Sequence, residues 1–361
     1  MKGVVWTGAL EVRDDLEVRA PGPREVTVRI HRAGLCHSDV SVINGTIAFP
    51  PPVVLGHEGA GVVEEIGAAV TRLAVGDHVV LTTLGNCGQC DACERGAPTH
   101  CRDGVGFAET ATRFRFGGRP ANQFANTGVF AERTVVHEHQ AVRIDPRVPF
   151  EAACLIGCAV VTGAGAVLNR AKVAPGQTVL VIGAGGVGQS VIQAARLAAA
   201  GRIVVVDANP AKEHVARLFG ATDFVDAARA NGPDRLLGVL RELGLPNGVH
   251  HAFECVGHPA LIRSAIDALD WGGTAVLLGV PGRDVEGTFL VASLYQNKTI
   301  MGCRYGASRP HHDIPLMAGL YLDGRFRLDE MVSRVYPLDD ITSAIDDLAA
   351  GSLNRGVLAV A

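Results

Sequence analysis

The 361-residue chain lacks features that would assign it to several broad classes of protein. It has no excess of positive charge, since 33 Lys and Arg stand against 37 Asp and Glu, and no basic patch with interleaved aromatic residues. Binding to nucleic acid depends on such a patch, so we do not expect that partner. Glycine and charge interrupt the apolar runs before they reach the roughly 20 residues of a membrane span. Residues 1–5 resemble an edge strand and lack the apolar core of a signal peptide.

Low-complexity tracts and internal repeats are also missing, apart from the pseudo-symmetry of two βαβ halves. The composition, 48% hydrophobic and 19% charged, is that of a globular protein, and the length favours two domains. Cysteine occurs nine times. In a chain without an export signal, cysteines indicate metal binding or catalysis more than disulfides. We therefore expect a cytoplasmic protein whose cysteines serve chemistry.

The strongest pattern lies between residues 178 and 207. A buried strand runs into a glycine turn, followed by a helical stretch and a second strand that ends in Asp207. This order, within about 30 residues, is typical of the mononucleotide-binding βαβ unit. Gly183 permits the tight turn, Gly185 lets backbone N–H groups approach a pyrophosphate, and Gly188 lets the helix pack closely on the strand. The helix N-terminus would then bind the phosphates.

Asp207 favours NAD over NADP. Its carboxylate would accept hydrogen bonds from the adenosine ribose hydroxyls and would repel a 2′-phosphate. Beyond Asp207, helical patterns alternate with strand patterns, which predicts a parallel sheet covered on both faces. The alternative interpretation is a doubly wound domain that binds no nucleotide.

Four of the cysteines form a second pattern: Cys87, Cys90, Cys93 and Cys101. Thiols at this spacing in one loop predict a tetrahedral zinc site, and four thiolates leave no open position, so this zinc would be structural. The alternative is a set of free or paired cysteines. Residues 102–123, which follow, are polar and rich in glycine, and they predict a surface loop.

Three further motifs supply candidate metal ligands. They are Cys36-His37-Ser38-Asp39, Gly56-His57-Glu58 and Leu155-Ile156-Gly157-Cys158. Taken singly, such residues would be buried cysteines and a turn histidine. In this order, and together with the four-cysteine loop and the glycine turn, they resemble the zinc-dependent medium-chain alcohol dehydrogenases. The resemblance covers essentially the whole chain and is strongest to the branch with liver-type and formaldehyde-oxidising enzymes.

The resemblance implies an α/β protein of two domains. Residues 1–158 and 305–361 would form a β-rich, GroES-like catalytic domain, and residues 159–304 would form a Rossmann domain, a doubly wound parallel sheet that binds NAD. The implied reaction is oxidation of an alcohol to an aldehyde or ketone, and the reverse, with hydride passing from an alkoxide on zinc to the nicotinamide. A homodimer is implied, with a tetramer as the alternative.

By the same resemblance, Cys36, His57 and Cys158 are the ligands of a catalytic zinc, the second zinc of the subunit. Two thiolates and one imidazole leave a fourth position open for water or an alcohol oxygen. Glu58 matches a carboxylate close behind the metal. Asp39 matches the acid that orients the zinc-bound histidine.

A proton relay is also implied by the resemblance. Ser38 matches the hydroxyl that takes the proton of the substrate and passes it through the nicotinamide ribose towards solvent. The histidine that ends this relay in liver-type enzymes is replaced here by Ser41, so either His37 or water must complete the transfer. His37 also matches a ligand of the cofactor pyrophosphate, and it could equally be a solvent-facing loop residue.

Other contacts with cofactor and substrate follow from the family alignment. The implied cofactor contacts are Thr162, Gly183, Gly185, Gly186, Val187, Gly188, Asp207, Lys212, Val256, Gly279, Val280 and Arg355, the last as a pyrophosphate-binding arginine. The candidates for the substrate channel are Thr83, Phe124 and Val280. A threonine at position 83, where many relatives have an aromatic residue, predicts space for a bulky or branched alcohol.

The substrate itself has two main interpretations. Relatives that oxidise glutathione-bound formaldehyde carry charged residues where this chain has Ile47 and Val105, which argues against a glutathione adduct but leaves another thiol carrier open. The leading alternative is therefore a thiol-dependent formaldehyde dehydrogenase. A non-catalytic NAD-binding protein and a polyol dehydrogenase rank lower. Residues 283–303 contain a β-rich segment, Gly287-Thr-Phe-Leu-Val, expected to pair with a second copy of the chain.

Overall fold

The structure, a computed structural model, describes residues 1–102, 112–230 and 232–361. Val105, invoked above for substrate choice, lies outside the described residues. The chain divides into two units, Met1–Val161 with Ser308–Ala361, and Thr162–Ala307. These boundaries fall three residues beyond those expected from the family resemblance.

Strands form two sheets in the first unit and the centre of the second. In chain order they are β1 (Gly3–Trp6), β2 (Leu10–Arg13), β3 (Glu17–Val18), β4 (Glu25–Gly34), β5 (Val53–Val54), β6 (Glu58–Ile66), β7 (His78–Leu81), β8 (Phe114–Phe116), β9 (Arg119–Gln123), β10 (Arg133–His137), β11 (Ala141–Arg143), β12 (Thr178–Ile182), β13 (Arg202–Asp207), β14 (Asp223–Asp226), β15 (Val249–Glu254), β16 (Leu269–Leu277), β17 (Thr299–Gly302), β18 (Val332–Pro337) and β19 (Arg355–Ala359).

Helices connect these strands. They are α1 (His37–Ile43), α2 (Asp91–Glu94), α3 (Phe150–Leu155), α4 (Val161–Gly165), α5 (Gly186–Leu197), α6 (Glu213–Phe219), α7 (Pro233–Glu242), α8 (Pro259–Asp267), α9 (Pro310–Leu322) and α10 (Ile341–Ala349). Two π-helical segments, Ile156–Val160 and Ala166–Ala171, extend α3 and α4 into one helical run. Short 3₁₀ segments lie at Pro98–His100, Phe124–Asn126, Glu138–Gln140, Pro210–Lys212, Val291–Gln296, Tyr305–Ala307, Asp329–Met331 and Leu338–Asp340.

The helical run over residues 150–171 is long and apolar enough to cross a membrane, with a mean hydropathy of 1.8. However, 78% of that window is buried inside the protein. A core helix of a globular protein has the same composition, because buried helices are apolar on all sides.

Two sheets build the first unit. One has the strand order β2-β1-β5-β9-β8-β3, and the other has the order β11-β7-β6-β4-β19-β18, with β10 also pairing with β4. The long strand β4 pairs antiparallel with both β6 and β19. In this register Gly34 lies opposite both Glu58 and Val357. The end of β4 and the beginnings of β6 and β19 therefore meet at one edge of the sheet.

Glu25, at the opposite end of β4, is held by two arginines. Its carboxylate accepts hydrogen bonds from Arg19 at 2.6 Å, from Arg113 at 2.8 Å and from the backbone N–H of Gly22 at 2.8 Å. Burial alone would raise the pKa of Glu25, but these partners outweigh it and lower that pKa to about 2. The ion pairs fix the start of the longest strand in the unit.

The predicted surface loop over residues 102–123 is wrong in its second half, because β8 and β9 form a hairpin there. Gly117 and Gly118 both adopt positive φ, 55° and 74°, as a two-residue hairpin turn requires. Phe114 and Ala121 are fully buried across the pair. Glycines that belong to a turn between two short strands had suggested an irregular loop.

The second unit contains a six-stranded sheet in the order β14-β13-β12-β15-β16-β17, with every pair parallel. This is the doubly wound order 3-2-1-4-5-6, so the predicted parallel sheet is confirmed. The strand order reverses between β12 and β15, and ligands of such sheets bind outside the carboxyl ends of the strands at that point.

The β-rich segment predicted at Gly287-Thr-Phe-Leu-Val forms no strand in this chain. Phe289, Leu290 and Val291 are exposed, at 39%, 59% and 77% of their surface. A strand needs a neighbour for its backbone hydrogen bonds. Among the described residues this segment has no such neighbour, so its apolar side chains remain open to solvent.

Candidate active site

The edge where β4, β6 and β19 meet carries a cluster of metal-binding side chains. Cys36 follows the end of β4, His57 and Glu58 lie at the start of β6, and Cys158 comes from the π-helical segment after α3. One ligand atom of each lies within 4.8 Å of the others. Residues separated by more than 100 positions in the sequence thus converge on one point.

Asp39 holds this cluster in place from the first turn of α1. Its Oδ2 accepts a hydrogen bond from the backbone N–H of Cys36 at 3.2 Å. Its Oδ1 accepts another from the backbone N–H of Gly56 at 3.0 Å and lies 3.4 Å from Nδ1 of His57. The carboxylate is fully buried. An imidazole that donates from Nδ1 to a carboxylate presents the lone pair of Nε2 to a metal.

Glu58 and Arg355 form an ion pair inside the cluster, with side-chain exposures of 0% and 4%. The guanidinium donates to Oε2 of Glu58. The other carboxylate oxygen, Oε1, and Nε of Arg355 have no partner among the described residues. Buried polar atoms are rarely left without a partner, so these two atoms mark a place where a bound group belongs.

Gly34 provides the space for the Glu58 carboxylate. A Cβ atom at position 34 would lie 2.4 Å from Oε2 of Glu58 and 3.2 Å from Cδ2 of Leu155. No side chain fits at that separation. The glycine therefore determines where the carboxylate can lie relative to the ligands.

Charge within the cluster favours a thiolate and a cation. A hydrogen bond from Cys158, together with the charge of His57, lowers the pKa of Cys36 well below its usual value despite burial. The same hydrogen bond and burial raise the pKa of Cys158. Burial disfavours the charged imidazole, but the charges of Asp39 and Cys36 raise the pKa of His57. Burial raises the pKa of Glu58 to about 7. Two thiols, one imidazole and an orphaned carboxylate oxygen are a donor set that fits Zn²⁺.

The other residues predicted for this site lie around the cluster. Oγ of Ser38 lies 3.7 Å from Sγ of Cys36, and His37 is exposed on the same helix. Phe124 is 7% exposed and packs edge-to-face on His57 with ring centroids 5.2 Å apart. Thr83 is half-buried after β7. Ser38 and Phe124 are thus brought to the ligands themselves.

The four-cysteine loop forms a second cluster. The Sγ atoms of Cys87 and Cys93 are 4.0 Å apart, those of Cys90 and Cys101 3.8 Å, and those of Cys87 and Cys101 3.6 Å. Four thiolates at 2.3 Å around a tetrahedral zinc would be about 3.8 Å apart. All nine cysteines of the chain are free. The thiols therefore have the spacing of a zinc site and not the 2 Å S–S bond of a disulfide.

In the second unit, the glycine turn has the geometry of a phosphate-binding loop. Gly183 adopts φ +95°, and a Cβ at Gly188 would lie 1.8 Å from the carbonyl oxygen of Gly183. A Cβ at Gly185 would meet no atom within 4 Å. The fold therefore requires glycine at positions 183 and 188. Gly185 instead leaves open space in front of the N-terminus of α5, whose first residues are Gly186 and Val187. A dinucleotide pyrophosphate fits this cradle.

Asp207 ends β13 beside that turn. Its Oδ2 accepts the backbone N–H of Ala184 at 2.6 Å, and its Oδ1 accepts that of Asn209 at 2.8 Å. Nζ of Lys212 lies 3.4 Å from Oδ2. The carboxylate is therefore locked at the carboxyl end of its strand, next to the turn.

The remaining predicted cofactor residues follow the neighbouring strands or belong to α4. Val256, after β15, is 52% exposed, and its side chain would lie 2.7 Å from a Cβ at Gly183. Gly279 and Val280 follow β16, and Val280 is 67% exposed. Thr162 is half-buried in α4. Arg355, predicted as a pyrophosphate ligand, is paired with Glu58.

Two residues that shape these sites were not predicted from the sequence. No sequence pattern indicates Gly34, because its role depends on the register of β4 against β6. Glu254, fully buried at the end of β15, accepts the backbone N–H groups of Val256 and Gly257 at 2.9 and 2.8 Å. A carboxylate that ends an apolar strand was the available signal for it.

Comparison with known proteins adds independent findings. Residues 22–146 match the family model described as alcohol dehydrogenase GroES-like domain, and residues 186–322 match the model described as zinc-binding dehydrogenase. The chain is 36% identical to an S-(hydroxymethyl)glutathione dehydrogenase of Escherichia coli O1:K1 over 354 residues, which is 95% of each chain.

Solved structures resemble it over the full length. An alcohol dehydrogenase zinc-binding domain protein from Burkholderia ambifaria superposes with a TM-score of 0.93 at 36% identity, covering 100% of this chain and 98% of that one. Benzyl alcohol dehydrogenase from Acinetobacter calcoaceticus superposes with a TM-score of 0.91 at 33% identity, covering 100% and 99%.

Proposed function

The chain belongs to the zinc-dependent medium-chain alcohol dehydrogenases, and on that premise we propose that it oxidises alcohols to aldehydes or ketones with NAD and catalyses the reverse reduction. The observation that supports this most is the convergence of Cys36, His57 and Cys158 within 4.8 Å beside the orphaned oxygen of Glu58. A zinc ion held there would act as a Lewis acid that lowers the pKa of a bound hydroxyl group, and NAD would accept the hydride.

The residues of the cluster have three roles in this proposal: binding zinc, orienting the imidazole and accepting the substrate proton. Cys36, His57 and Cys158 hold the zinc, and Asp39 fixes the tautomer of the imidazole through its contact with Nδ1. Ser38, 3.7 Å from Sγ of Cys36, is near enough to the ligands to take the hydroxyl proton of the substrate. Since Ser41 replaces the histidine that ends the relay in related enzymes, the proton passes onward through His37 or water.

We propose that the preferred cofactor is NAD. Asp207 lies at the carboxyl end of β13, where a 2′-phosphate would meet a carboxylate held by the backbone N–H groups of Ala184 and Asn209. Lys212, 3.4 Å from Oδ2 of Asp207, offsets part of this repulsion, whereas Asp207 bonds directly to Ala184 of the turn. Initial rates with NAD and NADP at equal concentration test the preference directly.

Two zinc ions per chain are proposed, a catalytic one and a structural one. The structural site consists of Cys87, Cys90, Cys93 and Cys101. Metal analysis of the purified protein should give two equivalents of zinc. The Cys36→Ser variant should lose turnover while NAD still binds, since the glycine turn lies in the other unit. Normal turnover in that variant would contradict the proposed catalytic role.

A thiol-dependent formaldehyde dehydrogenase is the second candidate, because a relative named S-(hydroxymethyl)glutathione dehydrogenase is 36% identical. The 33% identical relative named benzyl alcohol dehydrogenase supports a free alcohol. Among the described residues, those that line the same surface groove as Ile47 carry no positive charge for glutathione carboxylates. Benzyl alcohol, and formaldehyde with and without glutathione or other thiols, should be assayed side by side. Oxidation of formaldehyde only when a thiol is present would favour the second candidate.

We propose a homodimer in the cytoplasm. Leu290, Val291 and Tyr295 expose 59%, 77% and 88% of their surface, an apolar stretch that a second copy would cover. Nine free cysteines fit a reducing compartment. Sedimentation equilibrium distinguishes the dimer from a monomer and from a tetramer.

A further inference from the structure

The turn that follows β9 contains two residues in the left-handed region of the backbone. Ala125 has a φ of 52° and Asn126 has a φ of 58°, and neither is a glycine. For an alanine this conformation is disfavoured about five- to thirtyfold relative to the right-handed one, because the Cβ atom crowds the following carbonyl oxygen. The turn therefore persists only because its surroundings hold it.

The side chain of Gln123 ties this turn to the neighbouring strand β10. Gln123 is buried, with 5% of its surface exposed, and its amide nitrogen lies 3.0 to 3.2 Å from four acceptors. The acceptors are the carbonyl oxygens of Asn126, Thr127 and Val135 and the hydroxyl group of Thr134. The amide oxygen accepts a hydrogen bond from Nη1 of Arg113 at 3.3 Å, which fixes the orientation of the amide. Two of the four acceptors thus belong to the turn and two to β10.

The same turn contacts the metal ligand His57 in two ways. The ring of Phe124, which opens the turn, packs edge-to-face on the imidazole with centroids 5.2 Å apart. The carbonyl oxygen of Gly56, the residue before the ligand, accepts hydrogen bonds from the backbone N–H of Val129 at 3.1 Å and from Oγ1 of Thr127 at 3.3 Å. A shift of the turn would therefore move both the ring that touches the imidazole and the backbone beside it.

We propose that Gln123 is a positioning residue for the alcohol oxidation: by holding the left-handed turn, it keeps the imidazole of His57 in the orientation that binds zinc. The inference rests on the proposed function and adds a residue that belongs to neither metal cluster. Asp39 restrains the imidazole at Nδ1, and the turn restrains it by packing. Without the amide of Gln123, the left-handed residues can relax, and Phe124 then loses its place against the ring.

Gln123→Met removes the amide and keeps a side chain of similar length. It should lower kcat for benzyl alcohol, or for the best alcohol of the wild type, on the order of tenfold, which is within the cost of one left-handed alanine. The KM for NAD should not change, since the glycine turn lies in the other unit. An unchanged kcat would overturn the proposal.

A glycine in the turn tests how Gln123 acts, because glycine adopts the left-handed region without steric cost. Adding Ala125→Gly to Gln123→Met should return kcat to within about threefold of the wild type. The matched control is Ala199→Gly, since Ala199 also has a positive φ, 56°, and lies in the second unit. This control relieves the same strain elsewhere and should leave kcat low. Rescue by both glycines, or by neither, would assign Gln123 to general stability and overturn the proposal.

Thr127→Val weakens the same restraint at a different atom and serves if Gln123→Met does not fold. It removes the hydroxyl group that donates to the carbonyl oxygens of Gly56 and Phe124 at 3.3 and 3.2 Å. Loss of one such hydrogen bond should lower kcat about two- to tenfold, with the same rescue by Ala125→Gly. A wild-type kcat in Thr127→Val, or a loss that Ala125→Gly does not repair, would count against the turn.

The visible absorption of Co²⁺ exchanged for zinc gives a readout that needs no turnover. The bands that are missing from Cys36→Ser belong to the cluster of Cys36, His57 and Cys158. These bands should change in Gln123→Met and return when Ala125→Gly is added, whereas the bands of the four-cysteine loop should stay constant. Identical spectra of wild type and Gln123→Met would refute the positioning role. If the bands changed as expected but the wild type oxidised no alcohol, the proposed function would fail and the positioning of His57 would stand.

Discussion

Replacing Gly34 with alanine tests whether the position of Glu58 is set by the absence of a side chain on β4. The added Cβ would lie 2.4 Å from Oε2 and 3.1 Å from Cβ of Glu58, with Leu155 at 3.2 Å. Overpacking of this kind typically costs about 1–3 kcal/mol. We therefore expect Gly34→Ala to lower the free energy of unfolding by that amount. The contact with Leu155 can relax by a few tenths of an ångström, so most of the cost belongs to Glu58.

A double-mutant cycle separates the contribution of Glu58 from that of the backbone. Free energies of unfolding are measured by equilibrium denaturation for the wild type, Gly34→Ala, Glu58→Ala and the double variant. In the Glu58→Ala background Oε2, the atom nearest the new methyl group, is gone, and the remaining contacts with Cβ of residue 58 at 3.1 Å and with Leu155 at 3.2 Å need to give by only a few tenths of an ångström, so alanine at position 34 should change stability by less than about 0.5 kcal/mol. The coupling energy between the two positions should then be about 1–3 kcal/mol.

The matched control is Gly319→Ala in α9. A Cβ there meets no atom within 4 Å, and alanine has a higher helix propensity than glycine, so this variant should gain up to about 1 kcal/mol. If Gly34→Ala cost as much without Glu58 as with it, the strand backbone would be absorbing the methyl group. The argument that Gly34 positions the carboxylate would then be refuted.

Three further predictions concern other parts of the chain. Cys101→Ser should lower the zinc content from two equivalents to one by metal analysis, whereas Cys303→Ser, outside both clusters, should keep two. Glu25→Gln should cost about 3 kcal/mol at pH 7, because the folded-state pKa of Glu25 is lowered from 4.5 to about 2. The stability that the Glu25 carboxylate contributes is full above pH 4.5 and is lost as the pH falls towards 2. The denaturation curves of variant and wild type should therefore converge over that range. Asp207→Ala should improve kcat/KM for NADP relative to NAD on the order of tenfold, measured as a ratio of initial-rate constants. An unchanged ratio would remove Asp207 from cofactor selection.

Local patterns predicted those parts of the fold that are made by consecutive residues. The strand, glycine turn and strand over residues 178–207 were recognisable because each step has its own residue type, and the parallel sheet followed from the alternation of helices and strands. The hairpin of β8 and β9 was missed because two short strands around Gly117 and Gly118 carry too few apolar residues to show an alternation. The segment at residues 287–291 forms no strand within one chain, because no neighbouring strand lies beside it among the described residues, and its pairing with a second copy stays a prediction.

The two metal clusters differ in how far apart in the sequence their ligands lie. Cys87 and Cys101 are 14 residues apart, so their thiols meet through the local path of one loop, and spacing alone predicts the site. Cys36 and Cys158 meet only because β4, β6 and the helical run after β11 are packed in one register. The order of the motifs suggested these ligands through a family resemblance. The ion pair between Glu58 and Arg355 and the space left by Gly34 depend instead on how three strand ends meet, which no motif shows.

The two clusters also differ in whether they leave a ligand position for a substrate. In the four-cysteine loop every donor is a thiol at tetrahedral spacing, so a zinc ion there has no position left for a substrate. In the other cluster the fourth group able to bind a metal, Glu58, has one oxygen committed to Arg355 and its backbone side bounded by Gly34. Cys36, His57 and Cys158 supply three donors, the number that catalytic zinc sites use when they keep one position for a substrate oxygen, and the unpaired Oε1 of Glu58 lies beside them. The Arg355 guanidinium therefore holds one oxygen of this carboxylate, and Oε1 alone is left to face a bound group.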